Sequence, residues 1–297
     1  MNAKWICPAV TPFLPDGTVD TKSAGKLFDD LIEAGISGIL IGGSIGEFFA
    51  QPLEQRLTMA KFAISHLDGR VPLIVGTASM IPDEIISFSL RVLKGGADAV
   101  MIVPPYYFSF GDEEVYNFFS YMAREIGGPI YLYNFPDRTG YSISPAVVRR
   151  LAMEFPNIIG IKDTISGMDH TREVLKEVKP VRPDFEVFSG FDENFVHNVL
   201  AGGSGCIGGF SNIAPELCGA WLRALRADDL EAAAQYQQKM GRCMDIYAIG
   251  SPFVSYVKEA SRQKGHIACA KATFPLPELG EEACGKVRAF LEREELL

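Results

Sequence analysis

No stretch of 18 consecutive apolar residues occurs in the 297-residue chain, so no segment reads as a spanning helix and no membrane role is expected. The first residues reach Pro8 and Pro12 without an apolar stretch, so a secretory leader is not expected either. Cysteine is sparse. Cys7, Cys206, Cys218, Cys243, Cys269 and Cys284 are scattered with no C-x-x-C pair, which excludes a zinc ribbon or dense disulfide scaffold and suits a reducing cytoplasm. The four histidines (His66, His170, His197, His266) show no H-x-x-x-H or H-x-H spacing, so neither a zinc site nor a metal-dependent aldolase is expected. No G-x-x-x-x-G-K-[ST] occurs, leaving nucleotide hydrolysis without support. Gly203–Gly208 does spell G-x-G-x-x-G, but it follows a helical pattern and leads into a strand, the reverse of a dinucleotide site. Positive charge is in deficit: 28 Lys and Arg against 37 Asp and Glu give a formal charge of −9. That argues against general affinity for nucleic acid or anionic membranes, while leaving room for a locally basic site for a small anion.

What is present is apolar residue in quantity, 47% hydrophobic against 22% charged, enough for a large core. Short apolar runs alternate with longer amphipathic ones. Strands are predicted over Trp5–Val10, Gly38–Ile41, Pro72–Val75, Ala99–Val103, Ile130–Tyr133, Ile158–Ile161, Phe185–Phe188 and Cys206–Ile207. Between them lie helix patterns such as Ser23–Ala34, Leu53–His66, Asp83–Lys94, Asp112–Ile126, Pro145–Glu154 and Glu193–Ala201, several closing on glycine. Eight such units predict an α/β fold, a (β/α)8 TIM barrel over residues 1–227; a doubly wound open sheet is the alternative and needs fewer strands. Residues 228–297 predict a C-terminal helical extension with helices at Leu230–Ile249, Pro252–Gln263 and Glu281–Glu295.

Ile158-Ile159-Gly160-Ile161-Lys162 is the most informative stretch, a buried-strand pattern that ends on lysine. Burial disfavours an ammonium and favours the neutral amine, which attacks carbonyls to form Schiff bases. The plainer reading is a solvated strand end. Barrel active sites gather at the C-terminal ends of the strands, and those ends carry a coherent set here. They hold Gly42–Glu47 after the second strand, Pro104–Tyr107 after the fourth and Tyr133-Asn134 leading to Arg138 after the fifth. Lys162-Asp163-Thr164 ends the sixth, Ser189–Glu193 follows the seventh and Gly208–Asn212 the eighth. A lysine would hold a 2-keto acid as an imine, Arg138 and turn amides would take its carboxylate, and a tyrosine would move protons. Individually, a strand-end tyrosine also suits a core position, turn glycines suit turn geometry, and Arg138 suits a solvated loop.

Gly43-Ser44-Ile45-Gly46-Glu47, Tyr131-Leu132-Tyr133-Asn134-Phe135-Pro136 and Gly160-Ile161-Lys162-Asp163-Thr164 resemble the dihydrodipicolinate synthase / N-acetylneuraminate lyase family, in the family's order and over nearly the whole chain. The resemblance implies a homotetrameric barrel that forms a Schiff base with pyruvate or another 2-keto acid and needs no cofactor beyond the lysine imine. It implies Lys162 as the Schiff-base lysine, Tyr133 as the proton-transferring tyrosine, Ser44 as the linking hydroxyl, and Tyr107 as a second tyrosine that in many members comes from a neighbouring subunit. Ser44 and Ile45 amides fall where the family holds the pyruvyl carboxylate. Arg138 matches the carboxylate-binding arginine of dihydrodipicolinate synthases, but Ile45 departs from their second hydroxyl. Thr164 and Asp192-Glu193 after Gly190 resemble neuraminate lyases and 2-keto-3-deoxy sugar-acid aldolases, and Gly190 and Ile207 complete the expected substrate-facing set. The histidines that form the lysine-feedback site of some synthases in the family are absent after Glu47, so lysine feedback is not expected. The leading expectation is a metal-independent sugar-acid aldolase, followed by dihydrodipicolinate synthase and a keto-acid dehydratase. Two further readings stand beside these, a non-catalytic small-acid binder and a phosphate-binding barrel enzyme.

Overall fold

The computed structural model describes residues 1–297. Eight strands, β1 (Lys4–Pro8), β2 (Gly38–Ile41), β3 (Leu73–Gly76), β4 (Ala99–Ile102), β5 (Ile130–Asn134), β6 (Ile158–Asp163), β7 (Glu186–Ser189) and β8 (Gly205–Ile207), close in sequence order into a parallel barrel. The expected (β/α)8 fold is therefore the observed one. The strands read as unbroken apolar runs because each is covered on both faces: every residue of β2, β3, β4 and β5 is buried. Closure leaves no edge strand, which an open doubly wound sheet would have.

The helices are α1 (Thr21–Glu33), α2 (Leu53–Leu67), α3 (Pro82–Gly95), α4 (Asp112–Ile126), α5 (Pro136–Thr139), α6 (Pro145–Glu154), α7 (Asp169–Val178) and α8 (Phe195–Leu200). After β8 come α9 (Pro215–Arg226), α10 (Leu230–Cys243), α11 (Phe253–Gln263) and α12 (Glu281–Arg293). Local chemistry sets several ends. Asp20, Ser144 and Asp229 side chains accept amide hydrogen bonds at the starts of α1, α6 and α10. Gly35, Gly96 and Gly202 take the left-handed conformation just past three helices, as their sequence positions predict.

Most strand and helix ends shift by a residue or two from the sequence pattern, and three differences change how a segment is read. The expected helix at Leu230–Ile249 breaks at Cys243 into a 3-10 turn, Met244–Ala248. Asp192–Asn194 is also a 3-10 turn, so α8 begins at Phe195. β6 runs two residues past Ile161, so Lys162 is its last residue but one, at the C-terminal end of the strand.

Contacts are densest within two units. One joins Ala3–Leu73 to Gly208–Leu297, the other is Ile74–Ile207. In the first, α9 packs on β1 and α10 packs on α9, where Trp221 stacks at a tilt on Trp5, ring centroids 5.6 Å apart. In the second, β4 to β8 follow one another with α6 packed on α7 and α4.

Candidate active site

β5 and β6 pair so that Tyr133 lies opposite Lys162. Side chains directly opposite on a sheet are close neighbours, and these two share one face. The Lys162 Nζ donates to Tyr133 Oη at 3.4 Å and sits 4.5 Å from the centre of the Tyr133 ring. Lys162 is 5% exposed, and no carboxylate hydrogen-bonds its amine. The amine is therefore buried against a phenol, through a hydrogen bond and a cation–π contact and without a salt bridge. Tyr133 stacks on Phe135 at 5.9 Å, and the Arg138 guanidinium lies over the Phe135 ring, 5.3 Å from its centre.

The ends of β6, β7 and β8 bring further expected residues into place. Thr164 donates its amide to the Asn134 carbonyl at 2.9 Å and is 3% exposed, and its Oγ1 has no hydrogen-bond partner. A Cβ on Gly190 would come within 1.8 Å of that oxygen, so only glycine leaves the Thr164 hydroxyl its place. On the 3-10 turn after β7, Asp192 is buried and Glu193 is exposed. Ile207 is fully buried at the end of β8. Beside it, burial pushes the Cys206 thiol well above its ordinary pKa, and the Asp192 carboxylate adds to the effect.

Two expected residues are exposed to solvent. Tyr107 is 80% exposed on the loop after β4, its ring edge-on to Phe108 at 5.1 Å. Arg138 is exposed on α5, its contacts being the Asp137 carbonyl and the Phe135 ring.

In the other unit, Ser44 and Ile45 occupy a tight turn after β2, with Ser44 half-buried and Ile45 buried. The Glu47 amide closes the turn onto the Ser44 carbonyl at 3.1 Å, and Thr11 Oγ1 holds the Gly46 carbonyl at 2.7 Å. Glu47 itself takes a left-handed conformation, φ 63°, which costs free energy for a residue with a Cβ. Its carboxylate supplies the compensation: Oε1 meets Lys258 Nζ at 2.7 Å, and Oε2 accepts from the amide and hydroxyl of Thr273 at 2.7 and 2.8 Å. Both charged side chains are 0% exposed, and burial lowers the Lys258 pKa although Glu47 opposes the shift.

Sequence reading missed a cluster on the outer face of β5 and β6. Asp163 accepts from Asn134 Nδ2 at 2.7 Å, Thr171 Oγ1 at 2.6 Å and His170 Nδ1 at 2.9 Å. Burial alone would lower the His170 pKa, but the Asp163 carboxylate and the Ile143 carbonyl outweigh it and raise it. The signal was available in strand alternation, because residues that follow Tyr133 and Lys162 by one must face outward.

A sequence profile of the Dihydrodipicolinate synthetase family matches residues 1–294. The chain belongs to that family. Two Escherichia coli K12 proteins, both provisionally named, match over nearly their full lengths. A 2-dehydro-3-deoxy-D-pentonate aldolase, YjhH, is 37% identical over 292 residues, 98% of this chain and 97% of that protein. A 2-dehydro-3-deoxy-D-gluconate aldolase, YagE, is 36% identical over 291 residues, 98% and 96%. The crystal structure of YagE in complex with pyruvate superposes with a TM-score of 0.96 at 35% identity, covering 99% of each chain. As a member of this family with aldolase relatives, the chain is a lyase of the class I aldolase type.

Proposed function

We propose that the protein cleaves, or in reverse forms, 2-keto-3-deoxy sugar acids at the bond between C3 and C4, through an imine on Lys162. The observation that carries this reading is the buried Lys162 amine, held in no salt bridge and 3.4 Å from the Tyr133 hydroxyl. Nζ attacks the C2 carbonyl, and loss of water gives a protonated imine. That imine accepts the electrons of the C3–C4 bond as it breaks, while the C4 hydroxyl gives up its proton through Tyr133. The aldehyde departs, the enamine takes a proton at C3, and water releases pyruvate from Lys162. The lysine imine is the electron sink, so the mechanism calls on no cofactor.

The family motifs support the remaining roles. Ser44 links the proton path, the Ser44 and Ile45 amides take the carboxylate, and Gly190 and Ile207 border the substrate. The orphaned Thr164 hydroxyl supports a hydroxylated substrate, since an unsatisfied buried hydroxyl costs about 1–3 kcal/mol that a ligand hydroxyl would recover. Asp192 and Glu193 would face the polyol. Tyr107, extended from its own chain, fits a tyrosine given to a neighbouring copy in a homotetramer. A barrel of residues 1–227 with appended helices, working in the cytoplasm, completes the reading.

A five-carbon substrate would yield pyruvate and a two-carbon aldehyde; a six-carbon one, pyruvate and glyceraldehyde. The test is pyruvate release from 2-dehydro-3-deoxy pentonate and gluconate by the wild type and by Lys162→Ala. Release from neither substrate by the wild type would reject the sugar-acid assignment. Arg138 supports one second reading, condensation of pyruvate with aspartate semialdehyde, and a 4-hydroxy-tetrahydrodipicolinate synthase of Kosmotoga olearia is 34% identical over 231 residues. Consumption of aspartate semialdehyde in preference to sugar-derived aldehydes would favour it.

A further inference from the structure

The pairing of β5 with β6 is irregular where it begins. Ile130 lies opposite Ile158, yet Tyr131 lies opposite Gly160, so Ile159 is an extra residue. Beyond such a bulge the register must be re-established, and a slip of one residue turns every side chain to the opposite face. That slip would take Lys162 away from Tyr133.

Four groups on the outer face form a closed ring of hydrogen bonds that fits only the observed register. Asn134 Nδ2 donates to Asp163 Oδ1 at 2.7 Å. His170 meets Asp163 Oδ2 through Nδ1 and the Ile143 carbonyl through Nε2, each at 2.9 Å. The Ile143 amide then donates to Asn134 Oδ1 at 2.9 Å, closing the ring, while Thr171 holds Asp163 from α7 at 2.6 Å. Asn134 and Asp163 directly follow Tyr133 and Lys162, so the ring grips the same two strands from behind.

Both His170 nitrogens face acceptors, and only an imidazolium satisfies both. The charged groups facing the ring are Asp163 from β6 and Asp169 from its own helix; the segment entering α6 offers the Ile143 carbonyl. The Asp163 carboxylate, one residue from Lys162, is thus balanced by a cation.

We propose that Asn134, Asp163, His170 and the Ile143 peptide are a positioning device for the Schiff-base pair, fixing the register of Tyr133 against Lys162 and neutralising the carboxylate behind the lysine. The inference rests on the imine reading. Imine formation needs the neutral amine, and an uncompensated carboxylate nearby favours the ammonium. Removing the His170 cation therefore moves imine formation to higher pH, whereas loss of packing alone does not.

Wild type, His170→Gln and Asp163→Asn are incubated with pyruvate across a pH series, quenched with borohydride and followed by intact mass, with circular dichroism as the check on folding. His170→Gln is expected to raise the pH of half-maximal capture by about one unit. Asp163→Asn is expected to lower the maximal capture rate about tenfold or more through misplaced groups, with a smaller change in profile. Wild-type profiles and rates in both folded variants, or a fall in melting temperature alone, overturn the device. No adduct in wild type overturns the imine reading and the device with it. If Asp163→Asn does not fold, the His170→Gln profile decides alone.

Discussion

At the residue scale, Thr164 and Gly190 make the sharpest case for a built substrate pocket. The Thr164 Oγ1 is buried without a partner, and Gly190 is the only residue type that leaves it room. Gly190→Ala would drive a Cβ to 1.8 Å from that oxygen and 2.9 Å from the Thr164 Cα, so backbone as well as side chain must shift. The variant is expected to stay folded and lose at least tenfold in kcat/KM for a sugar acid, measured by pyruvate release. Thr164→Val removes the hydroxyl and keeps the shape, and is expected to raise KM for hydroxylated substrates while leaving capture of pyruvate alone unchanged. The sequence made Lys162, Tyr133 and Thr164 legible because their motifs are contiguous and their chemistry is distinctive. It hid the different fates of Asp192 and Glu193, one buried and one exposed, because a 3-10 turn rather than a strand or helix carries them.

At the element scale, polar strand ends were the difficulty. Asn and Asp are depleted in strands, so the predicted strand ranges stop short of Asn134 and Asp163, yet β5 and β6 pair through both. The partners that make this affordable, His170 and Ile143, lie on other segments and carry no sequence signature. The His170 pKa is raised in the fold, so its stabilising contribution is full below the ordinary histidine range and is lost as pH rises through the raised value. The melting-temperature gap between wild type and His170→Gln is therefore expected to be largest near pH 6 and to narrow by pH 9; a gap that widens would contradict the charged ring. The turn of Ser44 and Ile45 depends on another long-range pair, Glu47 and Lys258, 211 residues apart. Glu47→Gln leaves a buried lysine without its counter-charge and is expected to cost about 3–5 kcal/mol in denaturant unfolding. Adding Lys258→Met is expected to recover part of that loss, because the double variant removes both charges.

At the scale of the whole molecule, alternation of eight strands with helices was enough to predict the barrel, and the sugar-acid subtype drawn from Thr164 and Asp192-Glu193 agrees with the names of the two E. coli relatives. Association was less legible, since it depends on which loop apolar residues stay exposed. Tyr106, Tyr107, Phe108 and Phe110 all stand out on the loop after β4, Tyr107 and Phe108 mostly in solvent. Such an exposed aromatic patch suits the interface between copies that the proposed homotetramer calls for. Phe108→Asp is expected to shift sedimentation toward smaller species and lower activity together, as a shared Tyr107 requires; a fully active monomer would contradict a shared site. The most direct test of the central claim is to treat the wild-type protein with pyruvate and borohydride, weigh it intact and map the modified peptide. The account expects one reduced pyruvyl adduct per chain, on Lys162; folded protein that stays unmodified at saturating pyruvate, or is modified at another lysine, would contradict it.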